Sequence, residues 1–500
     1  MSINLHPKKD YLYSGSHELF INQDMTPTDF TCLLPLLIIA AAPLILMGTV
    51  SVFRHYNVVF GISVFLFVIA FLSVFVLIPY VPHNIGTLFI IDIYSLLFAG
   101  IIIFSGLLVA LLSFDYIRLM EGAREEYFII LFTATLGALL LSVAGHFIIL
   151  FLGIETLSLS LYVMISYQRA RDNSIEAGLK YLILASVSSA ILLFGMGLIY
   201  AASGTMIFSD VAAYITSSAG PMSPVALAGF GMMVVGLGFK LALVPFHMWT
   251  PDVYQGSPSP VSAFIATASK GGVMAVLIRF FFYIKGFSYG NLFILVSCIA
   301  VLSMFVGNLL AVRQQNIKRL LGYSSIANMG YLIILLLTGT AEGIHAALFY
   351  MAAYFITTIG AFGIIAVLST GKSEPEDIAD YRGLFWKKPW VAAVLTLSFL
   401  SLAGIPVTAG FIGKFYIILE GINTGLILLV FSLIINSVIG LYYYLRVITS
   451  LFSPSTEGVN LPAITITGGI TLAIITAGIL LLGIYPGWLF DAIGKFAAFN

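Results

Sequence analysis

Residues 236–260 read GLGFKLALVPFHMWTPDVYQGSPSP, an apolar stretch in which Lys240 stands five residues before Pro245. A proline inside a helix removes one backbone donor and clashes with the carbonyl four residues earlier. Backbone groups freed in this way at membrane depth are tolerated only where protein or water satisfies them. The stretch therefore predicts a broken helix with an ionisable side chain beside it, although a simple packing kink is the alternative.

A second stretch has the same character. Residues 401–421 read SLAGIPVTAGFIGKFYIILEG and place Pro406 eight residues before Lys414. Two proline breaks, each beside a lysine and about one five-helix unit apart, favour a functional interpretation over two packing kinks. Discontinuous helices at matching places in internal repeats are the usual architecture of ion-coupled transporters.

The composition is that of a membrane protein. The chain has 500 residues, of which 60% are hydrophobic and only 9% are charged, whereas soluble proteins have about 25% charged residues. The 22 basic and 22 acidic residues cancel, which argues against nucleic acid as a partner. Cys32 and Cys298 lie in separate apolar segments, and the sequence predicts no metal, nucleotide or iron–sulfur site.

A membrane-spanning helix needs about 20 apolar residues. Fourteen stretches are predicted to span: 30–53, 57–79, 92–114, 127–145, 147–167, 176–201, 225–248, 260–284, 290–312, 322–339, 343–369, 389–420, 424–450 and 462–485. The fold class is therefore an all-α polytopic membrane protein. The predicted organisation is a polar N-terminal tail, three helices, two five-helix repeats, and a last helix with a tail, over residues 1–29, 30–126, 127–284, 290–450 and 462–500.

Basic residues are unevenly divided between the two sets of loops, which predicts the orientation. Four lie on one side: Lys8, Lys9, Lys285 and Lys495. Thirteen lie on the other, here called the basic side: Arg54, Arg118, Arg124, Arg169, Arg171, Arg313, Lys318, Arg319, Lys372, Arg382, Lys387, Lys388 and Arg446. The basic side is predicted to face the cytoplasm, so that both termini lie outside.

Five ionisable residues fall within or at the edge of the predicted spans: Glu155, Lys180, Lys240, Lys270 and Lys414. A charge at the centre of a spanning helix costs roughly 2.5–3.5 kcal/mol on insertion scales. Together the five would cost on the order of 12–18 kcal/mol. Each therefore needs a partner, a wet cavity or deprotonation, and the set predicts charge movement through a membrane.

The lysines are predicted to act in series. Lys240 is expected to face Glu155, because desolvation disfavours a buried ammonium and a nearby carboxylate favours it. A shift in the position of either charge would then make Lys240 take up or release a proton. Lys270 lies beside Gly271 and Gly272, which leave room for water or for close helix approach. Lys414 suits a terminal proton site facing a wet half-channel.

The remaining polar residues have weaker assignments. Lys180 is expected to pair with Glu176, one turn earlier, or to reach the interface. His247 is a candidate relay between Lys240 and Lys270, with a hydrogen-bonded core position as the alternative. Arg279 is expected to extend toward the interface from the end of its span. Candidates for lining water chains are the hydroxyl residues Tyr254, Ser259, Thr267, Ser324, Ser325 and Thr408.

These residues lie in stretches that resemble the antiporter-like membrane subunits of respiratory complex I, the bacterial NADH–quinone oxidoreductase. The similar stretches are GIETLSLSLYVM, IEAGLKYLILASVSSAILLFGMGLIY, FKLALVPFHMWTPDVYQGSPSPVSAF, NIKRLLGYSSIANMGY and SLAGIPVTAGFIGKFYI. The resemblance covers nearly the whole chain from the first span onward. Within the family, Lys414 in TAGFIGKFY is similar to the members that carry a lysine rather than an acid at this place, and no long lateral helix follows the last predicted span.

The resemblance implies a fourteen-helix fold with two inverted five-helix repeats and proton half-channels. It implies that Glu155 and Lys240 form a paired site, that Lys270 is the central relay and that Lys414 lies on the exit side. Lys180 also matches a family lysine. Asn328 stands where many relatives have histidine, which puts a relay through that position in doubt.

The resemblance also implies a biological setting. The chain is expected to be a subunit of a proton-translocating enzyme in the bacterial cytoplasmic (inner) membrane, beside NuoM- and NuoK-like subunits. NADH, FMN, iron–sulfur clusters and quinone are expected in partner subunits, with no redox cofactor in this chain. Three alternatives are a D-type subunit of a multisubunit cation/proton antiporter, a stand-alone solute/proton symporter, and a structural membrane scaffold.

Overall fold

A computed structural model of the protein describes residues 25–120, 122–169, 171–217, 222–370, 373–454 and 463–496. Most of the N-terminal tail predicted over residues 1–29 lies outside these described residues. Its last part is helical rather than irregular, because Thr26 and Asp29 form a capping box at the start of a short helix.

The described residues form 21 α-helices and one small hairpin. The first eleven helices are α1 Pro27–Cys32, α2 Leu34–Val52, α3 Tyr56–Val76, α4 Ile93–Arg118, α5 Glu126–Ser142, α6 Phe147–Ile165, α7 Asp172–Ser203, α8 Phe208–Ser217, α9 Pro224–Leu241, α10 Trp249–Gly256 and α11 Ser259–Phe264. The others are α12 Lys270–Tyr283, α13 Gly290–Val312, α14 Ile317–Thr338, α15 Ala341–Val367, α16 Leu384–Lys387, α17 Pro389–Ala403, α18 Ala409–Asn423, α19 Ile427–Phe452, α20 Ile466–Ile484 and α21 Gly487–Phe496. The hairpin pairs β1 His83–Ile85 with β2 Phe89–Ile91 in antiparallel register.

The described part contains 12 helices that are long and apolar enough to cross a membrane. Two more predicted spans hold shorter apolar helices, α5 and α17, so that each of the fourteen predicted positions contains a helix. The prediction of an all-α polytopic membrane protein is confirmed. The division into two inverted repeats, and the side on which the termini lie, stay predictions.

The two spans predicted to break at Pro245 and Pro406 are both open, as the sequence predicts. Helix α9 ends at Leu241, which is four residues before Pro245, and the predicted span 225–248 is therefore not one straight helix. Helix α17 ends at Ala403, three residues before Pro406, and α18 begins after the break. The breaks lie where a proline ring clashes with the carbonyl of the preceding turn.

The backbone at each break is held in an unfavourable conformation. Ala242 has a φ of 60° and Val407 has a φ of 74°, both in the left-handed region that residues with a Cβ atom rarely adopt. A residue held there costs about 1–3 kcal/mol. Side chains offset this cost by satisfying freed backbone groups, because the Trp249 indole donates to the Phe239 carbonyl (3.0 Å) and the Ser303 hydroxyl accepts from the Val244 amide (2.9 Å).

A third irregularity was not predicted. The backbone between α11 and Lys270 winds as a π-helix over Ile265–Ser269, and such bulges are frequent at functional sites. The two glycines that follow permit close packing, because a Cβ atom on Gly272 would lie 2.6 Å from the Ala138 carbonyl oxygen. Close helix approach, rather than a water cavity, therefore explains this glycine.

Arg279 does not extend to the interface, and that prediction is wrong. Its side chain is fully buried and forms two 2.8 Å hydrogen bonds with Asp92, the N-cap residue of α4. Its guanidinium also lies 4.8 Å from the centre of the Tyr94 ring. Burial alone would raise the pKa of Asp92, but the adjacent guanidinium and the Ser95 hydrogen bonds hold it below its usual range.

Replacing Asp92 with asparagine should destabilise the protein by about 3 kcal/mol, the lower end of the range for breaking a buried ion pair. Asparagine still caps the helix, so that the loss isolates the charge on Arg279. The unfolding temperature of the purified protein in detergent measures the effect. A D92N protein as stable as the parent would show that the ion pair contributes no net stability.

A second buried ion pair lies at the basic side of the helical bundle. Lys318, predicted to lie in a loop, is fully buried and donates to the Glu374 carboxylate (2.6 Å) and to the Ser257 carbonyl (2.6 Å). Glu374 also accepts from the Tyr116 hydroxyl (2.5 Å) and the Ser259 amide (3.0 Å). We call the contacts of Glu374 with these groups, and with Arg171 at 3.7 Å, the Glu374 clasp.

The clasp depends on how the loop after α15 is placed. The Ile317 amide donates to the Glu376 carbonyl (2.7 Å), and the Ile378 amide donates to the Gln315 carbonyl (2.9 Å). These backbone bonds fix the loop against the start of α14 and direct Glu374 inward. Burial alone would raise the pKa of Glu374, but the Lys318 charge and the hydrogen bonds that the carboxylate accepts hold it below its ordinary value.

Candidate functional site

Three lysines lie inside the helical bundle, each at an irregularity of its helix. Lys240 is in the last turn of α9, Lys270 follows the π-helical turn, and Lys414 is in the second turn of α18. Their side chains are 4%, 0% and 7% exposed. Among the described residues, none of the three forms an ion pair with a carboxylate. The broken end of α17 supplies the carbonyls that hold Lys414, whereas the hydroxyls that contact Lys240 and Lys270 come from the regular helices α6 and α14.

Lys240 contacts a hydroxyl rather than an acid. Its Nζ atom donates to the Ser158 Oγ atom over 2.5 Å and lies 5.3 Å from the centre of the Tyr181 ring. Ser158 is one turn after Glu155 on α6, so that both face the lysine side of the helix. The described residues include no direct ion pair between Glu155 and Lys240, and Ser158 is the residue of α6 that the lysine contacts.

Glu155 itself is incompletely satisfied. Its side chain is half-buried, and its Oε1 atom has no hydrogen-bond partner among the residues that the structure describes. A buried polar atom without a partner is costly and is often found at functional sites. The pairing of Glu155 with Lys240 stays a prediction, because Lys240 contacts Ser158 on the same helix as Glu155 and the Glu155 carboxylate is left able to accept another hydrogen bond.

Lys270 lies at the centre of a group of hydroxyls. Its Nζ atom donates to Ser325 Oγ over 2.7 Å, and the Tyr354 hydroxyl donates to the same oxygen over 2.7 Å. The Tyr254 hydroxyl is 3.4 Å from it. One serine thus connects the buried lysine with tyrosines from two other helices, α10 and α15.

Lys414 is held by the broken end of the preceding helix. Its Nζ atom donates to the carbonyls of Leu402 (2.9 Å) and Ala403 (3.1 Å), the last residues of α17. These carbonyls lie at a helix C-terminus, where the helix dipole favours a cation. The break therefore provides the partner of Lys414 and explains why an apolar span without an acid carries a lysine here.

A polar cluster lies between Lys270 and Lys414. The Asn328 amide donates to the Ser324 carbonyl (2.8 Å) and its oxygen accepts from the Tyr350 hydroxyl (2.6 Å). Ser324 also lies 2.5 Å from the Tyr444 hydroxyl. A small cavity of about 10 Å³ beside this cluster is lined by Tyr354 and Lys414 among others, which is near the volume needed for one water molecule.

His247 is not joined to either lysine. It lies in the first break, is buried, and its Nδ1 atom has no hydrogen-bond partner. No hydrogen bond from its side chain reaches Lys240 or Lys270 within the described part of the chain. The predicted relay through His247 therefore lacks direct contacts in this conformation.

Lys180 lines a separate and larger cavity. Its amine lies 2.6 Å from Glu176, which confirms the predicted ion pair, and 3.1 Å from Asp252, which also contacts Arg319 at 2.6 Å. These side chains surround a cavity of about 250 Å³ near the basic side, which has space for several water molecules. Lys180 is 44% exposed and does not belong to the buried series.

The family of the chain follows from its sequence match. The family described as NADH:quinone oxidoreductase/Mrp antiporter, transmembrane, matches residues 144–440, which is more than half of the chain. This protein belongs to that family. The matched region runs from the turn before α6 to the middle of α19 and contains all four lysines as well as Glu155.

Solved structures of this antiporter family share the fold. A chain of respiratory complex I from Thermus thermophilus with bound aureothin is 30% identical, covers 92% of this chain and 99% of that chain, and has a TM-score of 0.79. A chain of an archaeal membrane-bound sulfane sulfur reductase is 25% identical, covers 94% and 96%, and has a TM-score of 0.81. A chain of the Mrp complex from a Dietzia species covers 94% and 97% with a TM-score of 0.83, and its 19% identity shows the fold alone.

Family membership establishes the general nature of the protein. It is a multi-pass integral membrane protein and an antiporter-like membrane subunit of the type found in complex I and in Mrp-type complexes. The similar solved chains lie in multisubunit complexes with other membrane subunits. These similarities support a membrane subunit of a larger complex rather than a stand-alone symporter or a structural scaffold.

Sequence reasoning missed several residues of this antiporter-family site. They are Tyr350, Tyr354 and Tyr444 in the polar cluster, together with Glu374 and Tyr116 in the clasp. Tyrosine is common in membrane helices and carries no local signal of its own. Glu374 stands in the polar segment SEPED, where a solvated loop is the ordinary interpretation. Only the contacts across the fold distinguish these residues.

Proposed function

We propose that this chain is the N-type subunit (NuoN) of a bacterial NADH–quinone oxidoreductase and conducts protons across the cytoplasmic membrane. Electron transfer from NADH to quinone, in partner subunits that hold FMN and iron–sulfur clusters, drives the movement. NuoM- and NuoK-like subunits are the proposed neighbours, and both termini face the periplasm. The chain would thus be part of a translocase and bind no redox cofactor itself.

One observation carries this proposal. Three lysines, each at an irregularity of its own helix, are buried without a carboxylate partner among the described residues, and neutral oxygens hold them. A neutral partner stabilises an ammonium less than a carboxylate does, so that the lysine can release and regain its proton. Ionisable residues inside membrane-spanning segments are rare because they are costly, and they mark ion pathways and proton relays.

The proposed order of proton transfer follows the positions of these groups. Lys240, beside the free oxygen of Glu155, takes up a proton and passes it inward. Lys270 at the hydroxyl group forms the centre, and Lys414 at the second break releases the proton. Lys180 and the cavity around Asp252 are proposed as a water-filled entrance, because they connect the basic side with the region of α7 and α10.

The choice of the N-type subunit rests on two supports. Lys414 in TAGFIGKFY is a lysine where the M-type subunit carries an acid, and its carbonyl partners suit a cation. The sequence identity to the complex I chain, 30%, is also higher than the 19% to the Mrp chain. The second candidate is a D-type subunit of a cation/proton antiporter, because the description of the matching family names the Mrp antiporter as well as NADH:quinone oxidoreductase.

Replacing Lys240 with alanine tests the function. In inverted membrane vesicles that contain the assembled complex, we expect NADH-driven proton uptake to fall at least about tenfold, at the low end for loss of an acid–base group. The loss is limited because Glu155 can still organise water beside the empty position. Quenching of a pH-sensitive dye measures proton uptake, and the amount of assembled complex is measured in the same vesicles.

The Glu155→Ala protein should show a similar loss, and an Asp210→Asn protein serves as a control because Asp210 is an exposed acid outside the buried series. If Lys240→Ala leaves NADH-driven proton uptake unchanged but removes exchange of sodium for protons in vesicles without NADH, the antiporter candidate is favoured. Unchanged behaviour in both assays would contradict both candidates.

A further inference from the structure

We propose that the proton step from Lys270 toward Lys414 passes through the hydroxyls of Ser325 and Tyr354 rather than through the side chain of Asn328. This inference rests on the proposed function, since it assigns the groups that link two of its lysines. It names two further proton-transfer residues, one on α14 and one on α15.

Direct contacts support the first half of this route. Ser325 Oγ lies 2.7 Å from Lys270 Nζ and 2.7 Å from the Tyr354 hydroxyl, so that one oxygen touches both groups. Ser325 is 1% exposed and Tyr354 is 4% exposed. Hydrogen-bonded hydroxyls pass protons along because each is both a donor and an acceptor.

The cavity beside the second break supports the other half. Tyr354 lines it on the side of α15, and Lys414 lines it on the side of α18. Thr357, one turn after Tyr354, lies 3.0 Å from the Ser401 hydroxyl and belongs to the same lining. One water molecule in this space would connect the tyrosine hydroxyl with the region of the Lys414 amine.

The rival route through Asn328 is chemically unsuited. A carboxamide has fixed donor and acceptor ends and does not take up and release protons near neutrality. Both ends of Asn328 are also engaged, the nitrogen with the Ser324 carbonyl and the oxygen with the Tyr350 hydroxyl. Tyr350 therefore directs its proton to an oxygen from which the proton cannot continue.

The transfer balances without any added oxidant or reductant. The Tyr354 hydroxyl, which donates to Ser325 in this structure, first rotates toward the cavity so that its oxygen can accept from the serine. The Lys270 ammonium then gives a proton to Ser325 Oγ, while the serine gives its own proton to the Tyr354 oxygen. The tyrosine proton passes at the same time to water in the cavity and then to the neutral Lys414 amine. Lys270 ends neutral and Lys414 ends protonated, and rotation of the two hydroxyls restores the starting arrangement.

Five variants of the assembled complex test the route. We expect Ser325→Ala and Tyr354→Phe each to lower NADH-driven proton uptake about tenfold, and the double variant to lower it no further because both interrupt one path. Ser325→Thr keeps a hydroxyl and should restore most of the uptake. Tyr350→Phe, which removes a hydroxyl from the rival route, should stay within twofold of the parent.

Matched controls separate lost proton transfer from lost packing. Ser113→Ala and Tyr127→Phe each remove one of two buried hydroxyls that bond to each other, in a contact that includes none of the lysines. The ratio of the proton-uptake rates in ordinary water and in deuterium oxide gives a second readout. This isotope effect should rise in Ser325→Ala and stay at the parental value in the controls. A structural role alone would not raise it.

The outcomes distinguish the route from the function on which it rests. If Lys270→Met abolishes uptake while Ser325→Ala and Tyr354→Phe keep the parental rate, the hydroxyl route is wrong and the proposed function stands. Losses in Tyr350→Phe that equal those in Tyr354→Phe would favour the Asn328 side and would also overturn the route. Parental uptake in Lys270→Met would overturn the proposed function itself.

Discussion

Replacing Lys270 with methionine is expected to slow proton passage through this subunit about 100-fold, which lies within the range for removing a positioned acid–base group. Lys270 is fully buried, and its described partners are neutral hydroxyls. Within the described parts of the chain, no carboxylate is paired with Lys270 that could hold a replacement water or hydronium ion. Methionine fills a similar volume, so that the change removes the titrating group without opening a cavity.

The control for this variant keeps the positive charge at position 270 but cannot release a proton. Lys270→Arg retains a positive side chain, but a guanidinium stays protonated in proteins and cannot release its proton. Both variants should therefore show the same loss of NADH-driven proton uptake in vesicles with normal amounts of complex. An arginine protein that pumps at the parental rate would show that only the charge of Lys270 matters.

Replacing Glu374 with alanine should destabilise the protein by about 3–5 kcal/mol, the range for removing one partner of a buried ion pair. The Lys318 ammonium would remain fully buried with its charge unmatched. The Tyr116 hydroxyl and the Ser259 amide would lose their acceptor as well. The unfolding temperature in detergent, or the amount of complex in the membrane, measures the loss.

Two comparisons sharpen this test. Glu376→Ala removes a more exposed ion pair with Arg171 and should cost at most about 1 kcal/mol. Replacing Lys318 with methionine and Glu374 with leucine together should recover most of the stability, because an apolar pair needs no charge compensation. Equal effects of Glu374→Ala and Glu376→Ala would argue against a special role of the clasp.

The lowered pKa of Glu374 gives the clasp a defined pH dependence. A carboxylate whose folded-state pKa lies below its ordinary value of 4.5 contributes stability above that pH. The contribution is lost as the pH falls through the folded-state pKa. The stability difference between the parent and Glu374→Ala should therefore be constant near neutrality and shrink only in strongly acidic solution.

Features that depend on residues close together in the sequence could be predicted from the sequence alone. Hydrophobic runs give the helices, and Pro245 and Pro406 give the two breaks because a proline acts on the carbonyl four residues earlier. The pairing of Lys180 with Glu176 follows from helix geometry. The lysines themselves are visible because a charge in an apolar run is unusual at any position.

Contacts between residues far apart in the sequence could not be predicted in this way. Ser325 and Tyr354 lie 29 residues apart, Lys318 and Glu374 lie 56 apart, and Asp92 and Arg279 lie 187 apart. No periodicity links these positions, and their pairing depends on which helices become neighbours. Arg279 illustrates the error that results, since the rule that long cations reach the interface fails where an acid from another helix lies at the same depth.

The Glu374 clasp restricts how the protein can move. One carboxylate fastens the end of α4, the N-terminus of α7, the start of α11 and the start of α14 together. Many secondary transporters open by rocking one helical unit against another, and such rocking would have to pull this carboxylate away from all four helices. On the basic side, the bundle therefore behaves as a fixed frame, within which rotating hydroxyls and shifting protons are the moving parts.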